Sequence, residues 1–134
     1  MNIEAFLLCD CATDTGGKLN VLGAFDRLFV RQMPCVHPAC AVACRIRFTT
    51  VEQGEHKIKL NIIDEDGNAI GPKNLGGNIN VRFKENVDSV VMNFVHHFQQ
   101  LKFEKYGQYQ IDLALDGRCE ASLPLYIKEP PTAQ

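Results

Sequence analysis

Hydrophobic residues along the chain recur every second position, and short intervals of Gly, Asp and Asn interrupt them. This is the period of half-buried strands, not of helices. Between Glu55 and Ile63 the pattern is plainest: Ile58, Leu60 and Ile62 share one parity, while Lys57, Lys59 and Asn61 share the other. The same alternation sets Val42, Cys44, Ile46 and Phe48 against Ala43, Arg45 and Arg47, and sets Ile79, Val81 and Phe83 against Asn78, Asn80 and Arg82. Further strands are predicted at about Ile3 to Cys11, Leu19 to Phe25, Leu28 to Arg31, Val90 to Phe103, Tyr109 to Leu115 and Cys119 to Ile127. No crossover helix separates them. The expectation is an all-β chain, an immunoglobulin-like two-sheet antiparallel sandwich of about 8 to 9 strands, with one domain over 1–128 and a C-terminal tail at 129–134.

Register adds detail at the end of the chain. A two-residue Asp116-Gly117 turn would set Leu115 opposite Arg118 and throw the apolar rows of the last two strands onto opposite faces. A three-residue loop with Gly117 left-handed instead pairs Leu113 with Cys119, Ile111 with Ala121 and Tyr109 with Leu123, which makes Cys119 a core residue. Upstream, Gly107-Gln108-Tyr109 opens a strand in the manner of a tyrosine corner: the ring is expected to be buried, its hydroxyl bonded to the backbone of the preceding loop. Apolar residues on both faces of the first strand, Ile3, Ala5 and Leu7 with Phe6 and Leu8, call for cover on two sides.

With 134 residues, 46% of them hydrophobic and 22% charged, the chain has ordinary globular composition. A net charge of −2 provides no general field for polyanions, so neither nucleic acid nor membrane is an expected partner. The first ten residues lack a basic leader and carry Glu4 and Asp10 within their apolar run, and no stretch approaches the ~20 apolar residues of a membrane helix. The expected location is the cytoplasm, where Cys9, Cys11, Cys35, Cys40, Cys44 and Cys119 are thiols.

Leu22-Gly23-Ala24-Phe25-Asp26, Gly54-Glu55-His56-Lys57-Ile58, Asp64-Glu65-Asp66-Gly67, Gly107-Gln108-Tyr109 and Asp116-Gly117-Arg118 together resemble a bacterial family of short single-domain β-sandwich proteins of unknown function. The resemblance runs from about Asn2 to Ile127. Its motifs are turn and packing residues, so it implies a fold and a bacterial cytoplasmic setting without implying catalytic residues.

Candidate chemistry is sparse. Cys35, His37 and Cys40 offer three soft ligands within six residues, which zinc accepts with a fourth. Cys44 is a poor fourth, because it sits ~13 Å from Cys40 along a straight strand; packed thiols are the plainer reading. His96 and His97 point to opposite faces and cannot chelate one ion together; His96 shares the parity of Met92, Phe94 and Phe98 and is expected inside, His97 outside. Asp64-Glu65-Asp66-Gly67-Asn68 lacks the spacing of a calcium loop and reads as a hairpin turn. Gly71-Pro72-Lys73-Asn74-Leu75-Gly76-Gly77 reads as a mobile connection. Arg45, Arg47, Lys57, Lys59 and Arg82 all occupy hydrophilic parities. If their strands are sheet neighbours they form an anion or partner surface; otherwise they are a solvated face balanced by Glu52 and Glu55.

No nucleophile, base and oxyanion donor stand in any recognised spacing, and no cofactor is expected. The expectation is a non-enzymatic interaction or self-assembling module, acting on an unknown protein partner or as a homo-oligomer. The alternative is a small-anion or zinc-binding protein using the basic face or the Cys35, His37 and Cys40 cluster.

Overall fold

The computed structural model describes residues 1–132, so Ala133 and Gln134 of the expected tail lie outside the described residues. Glu129–Thr132 carry no strand. Among the described residues there are nine strands, one short 3-10 turn and no α-helix. They are β1 Asn2–Thr15, β2 Lys18–Ala24, β3 Arg27–Phe29, β4 Cys35–Thr49, β5 Gly54–Ile63, β6 Ala69–Val81, β7 Ser89–Phe103, β8 Gly107–Leu115 and β9 Arg118–Lys128, with the 3-10 turn at Thr50–Glu52. Two sheets form, in orders β2-β1-β4-β7 and β3-β9-β8-β5-β6. All pairings are antiparallel except β3 on β9, which is parallel; the chain reaches β3 by passing from the first sheet to the second at Phe25-Asp26. The two-sheet sandwich expected from the alternation is the fold.

The core lies between the sheets. Phe6, Leu8, Val42, Cys44, Ile46 and Phe48 of the first sheet meet Ile58, Leu60, Ile62, Ile111, Leu113, Leu115, Leu125 and Ile127 of the second. Each such side chain contributes about 1.5–3 kcal/mol on burial, which is why strict alternation here selects one register and one face. The tyrosine corner forms as expected: the buried Tyr109 donates its hydroxyl to the Lys105 carbonyl at 2.6 Å and meets Phe103 edge-on across the sheets at 5.0 Å. The Asp64 turn is also a hairpin turn, with Asp64 Oδ1 accepting the Asp66 and Asn68 amides at 2.9 Å each.

Four readings are corrected. Gly71–Gly77 is not a connection but part of β6, which bulges where Leu60 pairs with Leu75 and Ile62 with Ile70. The strand of Val42 to Phe48 begins earlier than its alternation shows: Cys35, His37 and Cys40 lie in β4, opposite Phe103, Leu101 and Phe98. The β8–β9 turn is the two-residue one, with Leu115 opposite Arg118 and both Asp116 (φ 52°) and Gly117 (φ 83°) left-handed. A bulge immediately afterwards, where Leu113 pairs with Ala121 but Ala114 with Cys119, restores the parity that the turn disturbs. Cys119 sits in that bulge and is exposed, not in the core.

The fourth correction concerns β1. Its register shifts between Ile3 and Ala5, so Ile3 faces the core beside Ile46 while Ala5 and Leu7 take the outer face. Beyond Cys9 the strand doubles back. Ala5 pairs with Arg45, yet Arg45 also donates to the Gly17 carbonyl at 3.3 Å; a straight strand would carry Thr15 ~33 Å from Ala5. The bend falls at Asp10 and Gly23. Gly23 has φ +72°, and a Cβ there would lie 2.5 Å from Asp10 Oδ2, so glycine is favoured there. The β1–β2 hairpin thus folds over the outer face of its own sheet. Cys9, Ala12, Ala41 and Ala43 are buried beneath it, with Leu19 and Val95 packed alongside. Small residues at 41 and 43 leave the room it needs; the cover reaches Cys9 but not Leu7, which stays exposed on the outer face of β1.

Candidate functional site

The five cations expected on hydrophilic parities do reach the surface, but not one surface. The 3-10 turn carries the chain from β4 in the first sheet to β5 in the second, so Arg45 and Arg47 lie on one side of the sandwich and Lys57 and Lys59 on the other. Arg82 directly follows β6 in the second sheet. Arg45 and Arg47 share the Glu4 carboxylate at 3.1 and 2.7 Å, since the β1 irregularity directs Glu4 between them. They also bond Asn93 Oδ1 at 3.2 Å and Ser89 Oγ at 2.9 Å. The Glu4 carboxyl is held below its usual range, chiefly by the Arg47 hydrogen bond. These arginines tie β1 and β7 to β4, and several of their donors are already engaged.

Cys35, His37 and Cys40 are not brought together around an ion. Among the described residues no three His, Cys, Asp or Glu side chains converge as metal ligands. The His37 ring lies 6.0 Å from Phe25, and its Nε2 is buried without a hydrogen-bond partner among the described residues. Cys40 and Cys44 belong to the core; burial pushes their thiols up to about 11 and about 12. Cys9, whose Sγ donates to the Ala41 carbonyl at 3.5 Å, is also raised by burial. Thiols held protonated in this way are poor nucleophiles and poor ligands.

One polar constellation was not read from the sequence. His56 Nδ1 bonds Asp116 Oδ2 at 2.6 Å, and its Nε2 faces the Glu52 carbonyl. Both partners are acceptors, so both ring nitrogens donate and His56 is an imidazolium. Its pKa is raised, first by the Glu52 carbonyl and then by Asp116. Asp116 also accepts the Lys57 amide at 2.9 Å, and the His56 ring lies 5.0 Å from that of Phe48. A His–Asp pair suggests general-base chemistry, but here the nitrogen that would take a substrate's proton is committed to a carbonyl. The pair fastens the β8–β9 turn and the 3-10 turn to β5. Local spacing carries no signal of it, because the partners are 60 residues apart.

What remains is an edge. β7 closes the first sheet and, among the described residues, is hydrogen-bonded along its length to β4 alone. From Ser89 to Leu101 it contains no Asp, Glu, Lys or Arg. Val90, Met92, Phe94 and His96 face the core side but are only half-buried, because β7 lies at the open flank of the sandwich. His96 meets Phe98 edge-on at 4.7 Å; its pKa is lowered by burial and by neighbouring His97, which keeps the ring neutral. His96 is thus half inside and His97 exposed. β7 carries one irregularity, the left-handed Gln100 (φ 56°) near its end; the other edges carry devices that discourage pairing. β3 has three residues, β6 has Pro72, Lys73 and a bulge, and β2 is bent at Gly23.

Residues 4–128 match a family described as a family of unknown function (DUF6941). The chain belongs to the DUF6941 family. The match begins at Glu4 and ends at Lys128, the last residue of β9, so the family unit and the sandwich coincide. No curated protein matches, and no solved structure matches. Among the described residues, no helix is long and apolar enough to cross a membrane.

Proposed function

We propose that this DUF6941 protein is a non-enzymatic interaction module that engages a protein partner by strand addition at the β7 edge. The observation that carries the reading is the β7 strand itself, 15 residues long, uncharged from Ser89 to Leu101 and paired on one side. An edge of that kind offers a row of backbone donors and acceptors to a second strand, and its half-buried side chains supply contact area. A cytoplasmic location belongs to the same reading: the six cysteines sit as separate thiols, three of them buried, as a reducing compartment favours. The anion and zinc alternatives draw less support, because the basic residues divide between two faces and Arg45 and Arg47 already hold Glu4.

The test is site-specific photocrosslinking in the cell of origin. A photoreactive residue at exposed His97 is expected to give a discrete protein adduct, while the same group at Lys59, on the opposite sheet, gives none. No adduct at position 97, or equal adducts at both positions, rejects the reading.

A further inference from the structure

Resting on the edge reading, we infer that the occupant of the β7 edge is a second copy of this chain, added antiparallel across a two-fold axis at Val95, so that the two first sheets become one.

Three observations carry this. The strand is compatible with itself: with no charge between Ser89 and Leu101, self-pairing sets no like charges against each other anywhere along that length. Its two ends are opposite in sign. Asp88 stands immediately before the strand and Lys102 near its end, both exposed; Lys102 also pairs with Glu104 at 3.3 Å within the monomer, and Lys105 follows it. An antiparallel copy about a two-fold at Val95 pairs 91–99 in register and brings the Lys102 end of each strand near the Asp88 end of the other, past the left-handed Gln100 (φ 56°). The same axis preserves the faces: Met92 falls opposite Phe98 of the second copy and Phe94 opposite His96, so the half-buried row of each copy continues the other's core. Such an interface is isologous and closes at two chains, because each copy has one such edge. Neutral His96 enters that row without bringing a charge into it.

Asp88 and Lys102 are exposed and outside the core, so charge reversal there tests the pairing without breaking the fold. Sedimentation equilibrium on the full chain is expected to report twice the 15.0 kDa monomer mass. Asp88→Lys is expected to weaken association roughly fivefold to tenfold at low salt, less at high salt, because two exposed ion pairs become repulsions. Adding Lys102→Asp to Asp88→Lys restores association by exchanging the signs. A wild-type chain that stays monomeric overturns the inference. So does a dimer indifferent to Asp88→Lys, or one that the double exchange fails to restore. If position 97 still crosslinks to a different protein, the edge reading survives and only the second copy is lost; if it crosslinks to nothing, both fall.

Discussion

Removing the His56–Asp116 pair should cost stability in a pH window that the structure defines. His56 is raised above its unfolded pKa of 6.5, so its contribution is complete below about pH 6.5 and is lost as pH rises through the folded value. Asp116 is lowered, first by the His56 hydrogen bond and then by the Lys57 amide, from 3.8. Its contribution is complete above about pH 4 and is lost as pH falls through the folded value. The pair is therefore fully formed between about pH 4 and 6.5. A charge-assisted hydrogen bond nets about 1.5–3 kcal/mol; Asp116 is 42% exposed while His56 is 13%, and solvent screening on the Asp116 side reduces the coupling to about 1 kcal/mol. Asn tolerates a left-handed backbone and keeps an oxygen for the Lys57 amide, so Asp116→Asn removes the charge and leaves the turn. Urea unfolding of wild type, His56→Ala, Asp116→Asn and the double variant should give that coupling near pH 5.5 and less than half of it near pH 9. Equal coupling at both pH values, or none at pH 5.5, would refute the assignment of His56 as an imidazolium.

Two further outcomes follow from the backbone and the thiols. A Cβ at Gly76, where φ is +139°, would lie 2.1 Å from the Ile58 carbonyl oxygen, whereas one at Gly77 meets nothing within 4 Å. Gly76→Ala should lose more than about 3 kcal/mol in thermal or urea unfolding and Gly77→Ala change stability by about 0.5 kcal/mol or less; similar losses would mean that β6 does not pack on β5 as described. In the native protein, exposed Cys11 and Cys119 should react promptly with a thiol reagent near neutral pH, and buried Cys9, Cys40 and Cys44 only after unfolding. Prompt modification of Cys44, read by peptide mass spectrometry, would contradict its place in the core.

The elements legible in the sequence are those whose physics is local. β5 alternates because Ile58 and Leu60 are each buried between polar neighbours, and the corner at Tyr109 needs only the loop four residues back. What escaped were the places where the two-residue period is broken and then repaired. The bulges at Glu4 in β1 and at Glu120 in β9, opposite Leu113 and Ala114, each insert one residue, which shifts every later side chain of that strand to the other face without changing composition. Cys119 was misplaced for that reason: the tight turn was rejected as incompatible with one buried face, whereas the bulge makes it compatible. The basic row failed for a different reason. Parity along a strand tells which residues share a face, but not which sheet the strand joins, and the turn at Thr50–Glu52 sends β5 to the opposite one.

The doubled-back hairpin connects these breaks to the edge. Ala43 shares the expected wet parity of Arg45 and Arg47, yet it is fully buried together with Ala41 under β1 and β2. The hairpin also reaches the outer face of β7, where Asn93 donates to Asp14 Oδ2 at 3.3 Å and to the Gly17 carbonyl at 3.1 Å. Arg45 and Arg47 hold β7 from the same side through Asn93 and Ser89. An edge strand fastened along its length by β4 and by side chains over one face loses little further freedom when a second strand is added. That prepaid ordering lowers the entropic cost of association. On the proposed reading, the monomer already holds β7 in its pairing geometry from Ser89 to Gln99, so a partner strand would need only to dock.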